Sequence, residues 1–254
     1  MRGDKIINIT NSKTVNGQLV KWNIKRDDKF YFVKTGTESY GTFSSIEPVA
    51  EYIASEIGRE LGINVIETKL EKVKYINKEV LVSVTESFLN DTEMYRSVSQ
   101  FLTEDEKNCD ELDDIIFSKF EKYKKEIYDM IVFDFLINNI DRHLNNFGFI
   151  CDEVGNIKEF SPIFDNGLSL FSDLNGSELN RNFTSLDRAS QSKPFRSKHY
   201  KQIKLVPKEY IKYIDNLTGV YNIIDSIDFI SCNRKELIKK LVQTRNDYLK
   251  GLSV

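Results

Sequence analysis

The chain has 254 residues, 40% of them hydrophobic and 30% charged, with a formal net charge of −3 at pH 7. This length suits one large domain or a two-lobed one with a substantial buried core. The slightly acidic balance does not favour nucleic acid or an anionic membrane as a partner, because those surfaces attract basic proteins.

Cysteine and histidine usage excludes two further classes. The three cysteines, Cys109, Cys151 and Cys232, are odd in number and widely spaced, so they indicate no disulfide framework and favour a reducing compartment. With only His143 and His199 present, a zinc site built on histidines is not expected. The sequence contains neither a signal-peptide pattern nor an apolar run long enough to span a membrane. We therefore expect a cytoplasmic protein.

The first 35 residues predict a small antiparallel sheet. Hydrophobic and polar residues alternate in its second strand, where Val20, Trp22 and Ile24 share one face. The pair Asn16-Gly17 is typical of a tight hairpin turn. Three strands are predicted: Lys5–Ile9, Leu19–Ile24 and Phe30–Lys34.

Two features of this region have alternative interpretations. The connection Ser12–Gly17 could be a lid whose backbone N–H groups approach phosphates, but it contains one glycine, and an ordinary hairpin is favoured. Lys34 ends an apolar strand. It is either a solvated strand end or a phosphate-binding lysine of the kind found on the third strand of kinases.

Residues Thr42–Leu61 contain a predicted helix, which Ser44 or Ser45 can cap and Gly62 can end. Glu47 and Glu51 lie one turn apart, close to its apolar stripe. A carboxylate there either reaches out to water or pairs with a buried cation, and Lys34 is the candidate partner. Two further strands are predicted after the helix: Asn64–Tyr75 and Glu79–Glu86.

The composition becomes more polar near Leu89–Asp91, which predicts a boundary between lobes 1–88 and 89–254. Residues 172–200 show little periodicity and are predicted to be a long surface loop. A strand hairpin is predicted from Phe147–Cys151 and Ile157–Phe160. The predicted helical segments are Met94–Leu102, Leu112–Phe120, Lys124–Asn139, Asn216–Ile230 and Arg234–Leu252.

A dense polar cluster follows the apolar helix. Asp141, His143, Asn145 and Asn146 fall within six positions, and Asp165 follows beyond the predicted hairpin. A carboxylate, an amide five residues later and a second carboxylate form the set with which kinases hold an acceptor hydroxyl and Mg²⁺. The alternative is that the same residues only cap the helix and turn the chain.

Taken in order, these segments resemble the HipA-like serine/threonine kinases, which are bacterial kinases that include toxins of toxin–antitoxin pairs. The resemblance spans roughly residues 30–205 and implies an α+β, two-lobed, protein-kinase-like fold. Its small lobe would be a mostly antiparallel sheet with one helix, and its larger lobe mainly helical. Full-length members carry an additional N-terminal subdomain, so this chain resembles the shorter members. The matching segments are K-T-G, A-E-Y-I-A-S-E-I-G-R-E-L-G-I, T-E-S-F, N-x-x-D-R-H-x-x-N-N-F, P-I-F-D and S-K-P-F-R-S-K-H-Y-K-Q-I.

The resemblance implies a role for each site residue. Asp141 would be the catalytic base, and Asn146 and Asp165 would be Mg²⁺ ligands. Lys34 would bind the phosphates of ATP and act in catalysis together with Asn146, and Glu51 would be its partner on the helix.

Further residues are implied at the adenine end and in the loop itself. Glu86 and Phe88 would be hinge residues that contact adenine through their backbone. His143 would be a further nucleotide-binding residue. The simpler interpretation is that His143 fastens the loop by hydrogen bonds. Arg142 is expected to pair with a local carboxylate or carbonyl.

The expected function is an ATP- and Mg²⁺-dependent protein serine/threonine kinase, with an antitoxin or regulatory protein as a possible partner. A small-molecule or lipid kinase is the first alternative, but the acidic chain lacks the polybasic stretch that an anionic lipid surface attracts. A pseudokinase that only binds a partner is the second, against which the retention of Lys34, Asp141, Asn146 and Asp165 argues.

One regulatory hypothesis concerns the hydroxyls of Thr10, Ser12 and Thr14. In the family that this chain resembles, autophosphorylation of serines in the corresponding loop controls access of the nucleotide. Since a phosphate adds about −1.5 to −2 charges, it would repel the nucleotide or eject the loop. The alternative is that these hydroxyls only satisfy the geometry of the turn.

Overall fold

The computed structural model describes residues 5–14, 17–39, 42–44, 46–75 and 77–253, with side chains from residue 19 onward. A mostly antiparallel sheet occupies the N-terminal third of the chain. Its strands run in the order β5-β4-β2-β3-β7-β6, and β1 also pairs with β2. The strands are β1 (Lys5–Thr14), β2 (Gly17–Arg26), β3 (Lys29–Thr35), β4 (Glu38–Ser39), β5 (Thr42–Phe43), β6 (Thr68–Tyr75) and β7 (Lys78–Glu86).

The sheet buries apolar side chains on both faces. Val20, Trp22 and Ile24 of β2 are buried, as their alternation predicts, in a cluster that also contains Val82 and Val84 of β7. Leu81, the residue before Val82 in β7, faces the opposite side of the sheet and belongs to the main core. A run of β-branched residues suits a strand that is covered on both faces.

Helix α1 (Ile46–Glu60) packs between the sheet and the helical part of the chain. Its first turn is capped by Ser44, whose Oγ accepts a hydrogen bond from the Ile46 amide at 3.1 Å. The helix ends before Gly62, whose φ of +63° favours glycine. At Gly58 a Cβ atom would lie 2.5 Å from Cγ2 of Val65, so only glycine permits this close packing.

The remaining chain is mainly helical and contains a second, three-stranded antiparallel sheet in the order β10-β9-β8. Short 3₁₀ turns connect several elements, the longest of them at Val98–Phe101 and Gly176–Asn180. The strands are β8 (Glu93–Ser97), β9 (Gly148–Asp152) and β10 (Ile157–Phe160). The helices are α2 (Glu104–Lys107), α3 (Leu112–Lys119), α4 (Lys124–Ile137), α5 (Phe183–Ala189), α6 (His199–Gln202), α7 (Thr218–Ser226) and α8 (Cys232–Ser253).

Helix α4 forms the centre of the main core. Every residue from Ile127 to Ile137 is buried, which agrees with its almost continuous apolar sequence. The helix ends at Asn138, which has a left-handed φ of 57°. The polar segment that carries Asp141 therefore starts directly from the most deeply buried helix of the chain.

Two predicted strands differ from the structure in length. Strand β1 continues to Thr14 instead of ending at Ile9, because β2 pairs with it along its whole length. The predicted turn at Asn16-Gly17 and the side chains of Thr10, Ser12 and Thr14 lie outside what the structure describes. The predicted strand Asn64–Tyr75 begins only at Thr68, as β6. Residues 64–67 precede it, and Val65 forms an isolated bridge with Ile163.

Two predicted segments differ in type. The segment Met94–Leu102, predicted to be helical, starts in the strand β8 and continues as the 3₁₀ turn Val98–Phe101, because the backbone of β8 pairs with β9, which is more than 50 positions further along the chain. Gly148 permits this pairing, since a Cβ there would lie 2.2 Å from the Arg96 carbonyl oxygen. The predicted loop 172–200 contains helix α5, which Asn182 caps by accepting a hydrogen bond from the Ser185 amide.

The α+β architecture otherwise agrees with the predicted fold class. The main core runs from α1 through α4 to α8 without interruption. None of the helices in the described part of the chain has the length and apolar character needed to cross a membrane.

Candidate active site

Lys34 lies at the centre of a cleft between the first sheet and the helical part of the chain. Its ammonium nitrogen is 3.1 Å from Oε1 of Glu51 and 2.7 Å from Oδ1 of Asp165. Burial opposes the charged form of Lys34, but the attraction of Asp165 and then of Glu51 outweighs it and raises the lysine pKa. The contact between Lys34 and Glu51 predicted from the sequence is therefore present.

Glu51 connects this lysine to the segment that follows β10. One carboxylate oxygen contacts Lys34, and the other accepts a hydrogen bond from the Asn166 amide at 2.9 Å. Only 4% of the Glu51 surface is exposed, so both oxygens are used inside the protein. Helix α1, strand β3 and the residues around Asp165 are thereby held together by one side chain.

Asp165 combines unusual backbone and electrostatic features. Its φ of 59° lies in the left-handed region, which non-glycine residues adopt mainly when surrounding contacts hold them there. The charge of Lys34 lowers the pKa of its carboxyl most strongly, against the effect of burial, and Lys21 lowers it further. Asp165 therefore carries a full negative charge at neutral pH.

Arg142 connects the loop that carries Asp141 to the segment that carries Asp165. It is fully buried and forms a salt bridge of 2.9 Å with Asp134 of α4. The same guanidinium donates to the carbonyl of Phe164 at 2.5 Å, to Oδ1 of Asn166 at 2.5 Å and to the carbonyl of Asn146 at 3.1 Å. The expectation that Arg142 pairs with a local carboxylate and carbonyls is confirmed.

The loop from Asn139 to Asn146 is fastened mainly by its own hydrogen bonds. The Asp141 amide donates to Oδ1 of Asn139 at 2.9 Å, and Nδ2 of Asn146 donates to the Asp141 carbonyl at 3.2 Å. His143 accepts a hydrogen bond at Nδ1 from the Asn145 amide at 3.3 Å, as expected for a residue that fastens the loop. Its Nε2 lies 4.0 Å from Oδ2 of Asp141.

The amide and carboxylate oxygens that this loop presents suit Mg²⁺. Because Asn146 uses its nitrogen inside the loop, its Oδ1 has no hydrogen-bond donor among the described residues. Asn146 and Asp165 line the same cavity together with Asp141. Mg²⁺ commonly takes one or two protein oxygens and completes its shell with water and substrate phosphates. The donor set fits, and in the described ranges no cluster of three or more His, Cys, Asp or Glu residues offers an alternative metal site.

An adjoining apolar cavity of about 410 Å³ lies next to Lys34. Three aromatic rings, those of Phe88, Tyr95 and Phe164, contact one another there at centroid distances of 5.3 to 6.1 Å. The hydroxyl of Tyr95 donates to the Asn145 carbonyl at 3.0 Å, and its burial raises the tyrosine pKa. A flat apolar space beside a lysine suits a purine base that continues into phosphates.

The two predicted hinge residues lie in different surroundings. Phe88 lines the apolar cavity. The carboxylate of Glu86, at the end of β7, is exposed and contacts Lys29 at 2.6 Å and the Tyr31 hydroxyl at 3.2 Å. Glu86 is not among the residues that line the cavity, whereas its neighbours Thr85 and Ser87 are, so a contact of Glu86 with adenine stays a prediction.

Lys21 is a site residue that the sequence reading missed. It is the direct cross-strand partner of Lys34 in the pairing of β2 with β3, and it lines the same cavities. Two like charges in this arrangement repel each other unless anions compensate them. The alternation that buries Val20 and Trp22 could have revealed it, because Lys21 falls on the opposite face.

Lys193 is the second residue that sequence reasoning did not identify. Its ammonium lies 2.7 Å from Oδ1 of Asp141. It comes from the segment that was predicted to be a surface loop, and no spacing rule connects it to Asp141.

The HipA-like C-terminal domain family matches residues 10–220 of the chain. A curated relative, the serine/threonine-protein kinase CtkA of Helicobacter pylori, is 30% identical over 135 residues, which cover 48% of this chain. The matched part of this chain covers 40% of the length of that relative.

Solved structures extend the likeness to the fold. A crystal structure of the H. pylori proinflammatory kinase CtkA has a TM-score of 0.70 at 19% identity and covers 92% of both chains. A Shewanella oneidensis complex of a toxin–antitoxin system, HipA and HipB with operator DNA, has a TM-score of 0.46 at 12% identity, and the match covers 98% of this chain and 65% of the other. The likeness to CtkA confirms the predicted two-lobed kinase fold. The family match, which includes Lys34, Asp141 and Asp165, shows that this chain belongs to the HipA-like C-terminal domain family, as the sequence resemblance to HipA-like kinases implied.

Proposed function

We propose that the chain is an ATP- and Mg²⁺-dependent kinase that phosphorylates serine or threonine hydroxyls of proteins. The observation that carries this proposal is the contact of Lys34 with both Glu51 and Asp165, in the cleft that Asp141 and Asn146 also line. A cation, its helix carboxylate and two oxygen donors for a metal are the parts that phosphoryl transfer requires. We keep the division into a nucleotide-binding lobe, 1–88, and a catalytic lobe, 89–254, as part of the proposal.

The nucleotide would bind with its base in the apolar cavity. Phe88 and Phe164 offer aromatic faces there, and Lys34 and Lys21 lie at its polar end. The triphosphate would extend towards these lysines, whose charges compensate part of its negative charge. Lys21 and Lys34 would act on the phosphates together, because they are direct cross-strand partners in the pairing of β2 with β3.

Asn146 and Asp165 would hold Mg²⁺, which when bound offsets negative charge on the phosphates. Asp141 would orient the acceptor hydroxyl and take its proton. Arg142 would not act chemically; its hydrogen bonds hold Asn146 and the neighbours of Asp165 at a fixed separation. Catalysis would therefore rest on positioning and on fixed charges.

The proposed acceptor of the phosphoryl group is a hydroxyl of a protein. A protein hydroxyl is favoured by the family and by the serine/threonine kinase to which the chain is similar. A small-molecule acceptor or a silent binding module would use the same fold, but the intact Lys34–Glu51–Asp165 contact has no use in a module that only binds a partner. A regulatory partner protein stays part of the proposal.

The test is phosphoryl transfer from γ-labelled ATP with Mg²⁺, followed by mass spectrometry of phosphosites. Wild type would be compared with Asp141→Ala on dephosphorylated casein and on the chain itself. We expect label on serine or threonine with wild type and none with Asp141→Ala. Equal labelling by both proteins would show that the base is misassigned. Labelling by neither, in folded samples, would contradict the proposal.

The same experiment examines the hypothesis on self-regulation. Peptide mapping of wild type after prolonged incubation with ATP and Mg²⁺ would report phosphate on Thr10, Ser12 or Thr14. If these three residues stay unmodified while casein is labelled, the self-regulation hypothesis is wrong and the kinase proposal is unaffected.

A further inference from the structure

We propose that Lys193 is a catalytic residue that contacts the transferred phosphoryl group from the acceptor side of the cleft. The inference rests on the proposed function. Its starting point is the distance of 2.7 Å between Nζ of Lys193 and Oδ1 of Asp141, the carboxylate that would receive the acceptor proton.

Stability does not explain this ion pair. The side chain of Lys193 is 48% exposed and that of Asp141 is 34% exposed. Pairs with this degree of exposure contribute little to folding, because water screens the attraction and ordering two side chains costs entropy. The pair therefore contributes little to the stability of the fold.

The backbone around Lys193 is fixed far more firmly than its side chain. Gln202, which is 2% exposed, donates from Nε2 to the Lys193 carbonyl at 2.9 Å. Its Oε1 accepts hydrogen bonds from the amides of Phe195 and Arg196 at 3.0 and 3.1 Å. One buried amide side chain thus determines the course of the segment on both sides of residue 194.

Further contacts attach the same segment to the helical part of the chain. Arg196 forms two parallel hydrogen bonds with Asp113 of α3, at 2.9 and 2.7 Å. Phe195 is buried in the main core, and Ser192 Oγ donates to the Arg196 carbonyl at 2.6 Å. Because the segment is anchored on all these sides, Lys193 is presented to Asp141 by a preorganised support.

The location suits the charge that develops during transfer. An acceptor hydroxyl that donates to the Asp141 carboxylate comes within roughly 3–6 Å of the Lys193 ammonium, since both bind the same group. The nonbridging oxygens of the phosphorus under attack occupy that space. Lys34 already faces two carboxylates, Glu51 and Asp165, whereas Lys193 forms an ion pair with one carboxylate of the described residues, that of Asp141. Lys193 therefore has charge to offer to the phosphoryl oxygens.

A lone pair of the acceptor oxygen forms the new bond to the γ-phosphorus, and the bond from that phosphorus to the β–γ bridging oxygen breaks, its electron pair leaving with ADP. The hydroxyl proton passes to the Asp141 carboxylate. Lys193 keeps its proton and moves one hydrogen bond from Asp141 to a phosphoryl oxygen, a charge-assisted contact.

The test compares wild type with Lys193→Met, Lys193→Gln and Lys193→Arg. Lys201→Met, on the exposed side of helix α6, is the matched control. The probe is dephosphorylated casein with γ-labelled ATP and Mg²⁺. We expect kcat to fall about 10²–10³-fold in the Met and Gln variants, with unchanged affinity for ATP and Mg²⁺ and unchanged Tm. Lys193→Arg should restore part of kcat, and the control should match wild type.

A second readout separates a catalytic role from a structural one. Binding of ADP with aluminium fluoride, which imitates the transferred group, should weaken in Lys193→Met, while binding of ADP alone should not change. If Lys193→Met has a lower Tm than wild type, the comparison is made with Lys193→Gln. Turnover equal to or faster than wild type in these variants would overturn the inference and leave the proposed kinase function intact. If the wild-type protein transfers no phosphoryl group at all, both this inference and the proposed kinase function are wrong.

Discussion

Lys34 and Asp165 are separated by 131 positions in the chain, yet the ammonium nitrogen of one lies 2.7 Å from a carboxylate oxygen of the other. The contact joins strand β3 to the segment after β10 across the cleft. Glu51 contacts the same lysine and also holds the amide of Asn166. The spacing between the two walls of the site is therefore determined by three charged side chains.

Replacement of Lys34 by methionine should destabilise the protein as well as abolish transfer. It leaves Glu51, which is 6% exposed as a side chain, buried without its cation. We expect the free energy of unfolding to fall by about 2–4 kcal/mol, towards the lower end of the range for broken buried pairs. Chemical denaturation measures this change. Lys29→Met, which breaks the exposed contact with Glu86, is the control and should have little effect.

Acidification should remove the stability that Asp165 contributes. Lys34 holds the pKa of this carboxyl below its ordinary value of 3.8. A pKa lowered by folding gives stability that is present above the unfolded-state pKa and is lost as the pH falls through the folded-state pKa. The difference in unfolding free energy between wild type and Asp165→Asn should thus be constant near neutrality and shrink below pH 3.8. A difference that grows on acidification would contradict the assigned pair.

Arg142→Lys should damage the site although it conserves the charge. A lysine cannot reproduce the hydrogen bonds to Asp134, Asn146, Phe164 and Asn166 from one planar group. We expect a loss of about 3–5 kcal/mol in the free energy of unfolding. Transfer activity should fall as well, because the separation of Asn146 from Asp165 depends on this guanidinium. Arg59→Lys on the exposed face of α1 serves as the comparison, and equal Tm values for the two variants would contradict this account.

Phe88→Ala should weaken nucleotide binding without removing it. The substitution removes one of the five aromatic residues that line the apolar cavity and leaves Lys34 and Asp165 unchanged. An aromatic contact of this kind contributes about 0.5–1.5 kcal/mol beyond its buried area, so Kd for ATP should rise at least several-fold. Phe30→Ala, exposed on the same sheet and not among the residues that line the cavity, should bind like wild type. Equal affinities of the two variants for ATP would show that adenine binds outside this cavity.

Local patterns indicated part of the charged site, because Lys34, Asp141, Asn146 and Asp165 follow or lie within segments of clear periodicity. The choice of Glu51 over Glu47 came from the family resemblance. Other parts depend on contacts between distant segments. Tyr95 reached the aromatic cavity only because β8 pairs with β9, which overrides the helical appearance of its own sequence.

Lys193 illustrates the same limit more sharply. Its approach to Asp141 requires Gln202 to fix its carbonyl and Asp113 to anchor Arg196, 83 positions away. No local propensity encodes that arrangement. Lys21, in contrast, was accessible from the alternation in β2, once the cleft side of the sheet was considered.

Calorimetric titration with ATP, in the presence and in the absence of Mg²⁺, tests the central claim most directly. We predict binding to the wild type that Mg²⁺ strengthens. Asp165→Ala should lose the Mg²⁺ effect, whereas Asp141→Ala should retain both the affinity and the effect. A folded wild-type protein with no affinity for ATP under either condition would contradict the proposal that Lys34 and Asp165 hold a nucleotide between them.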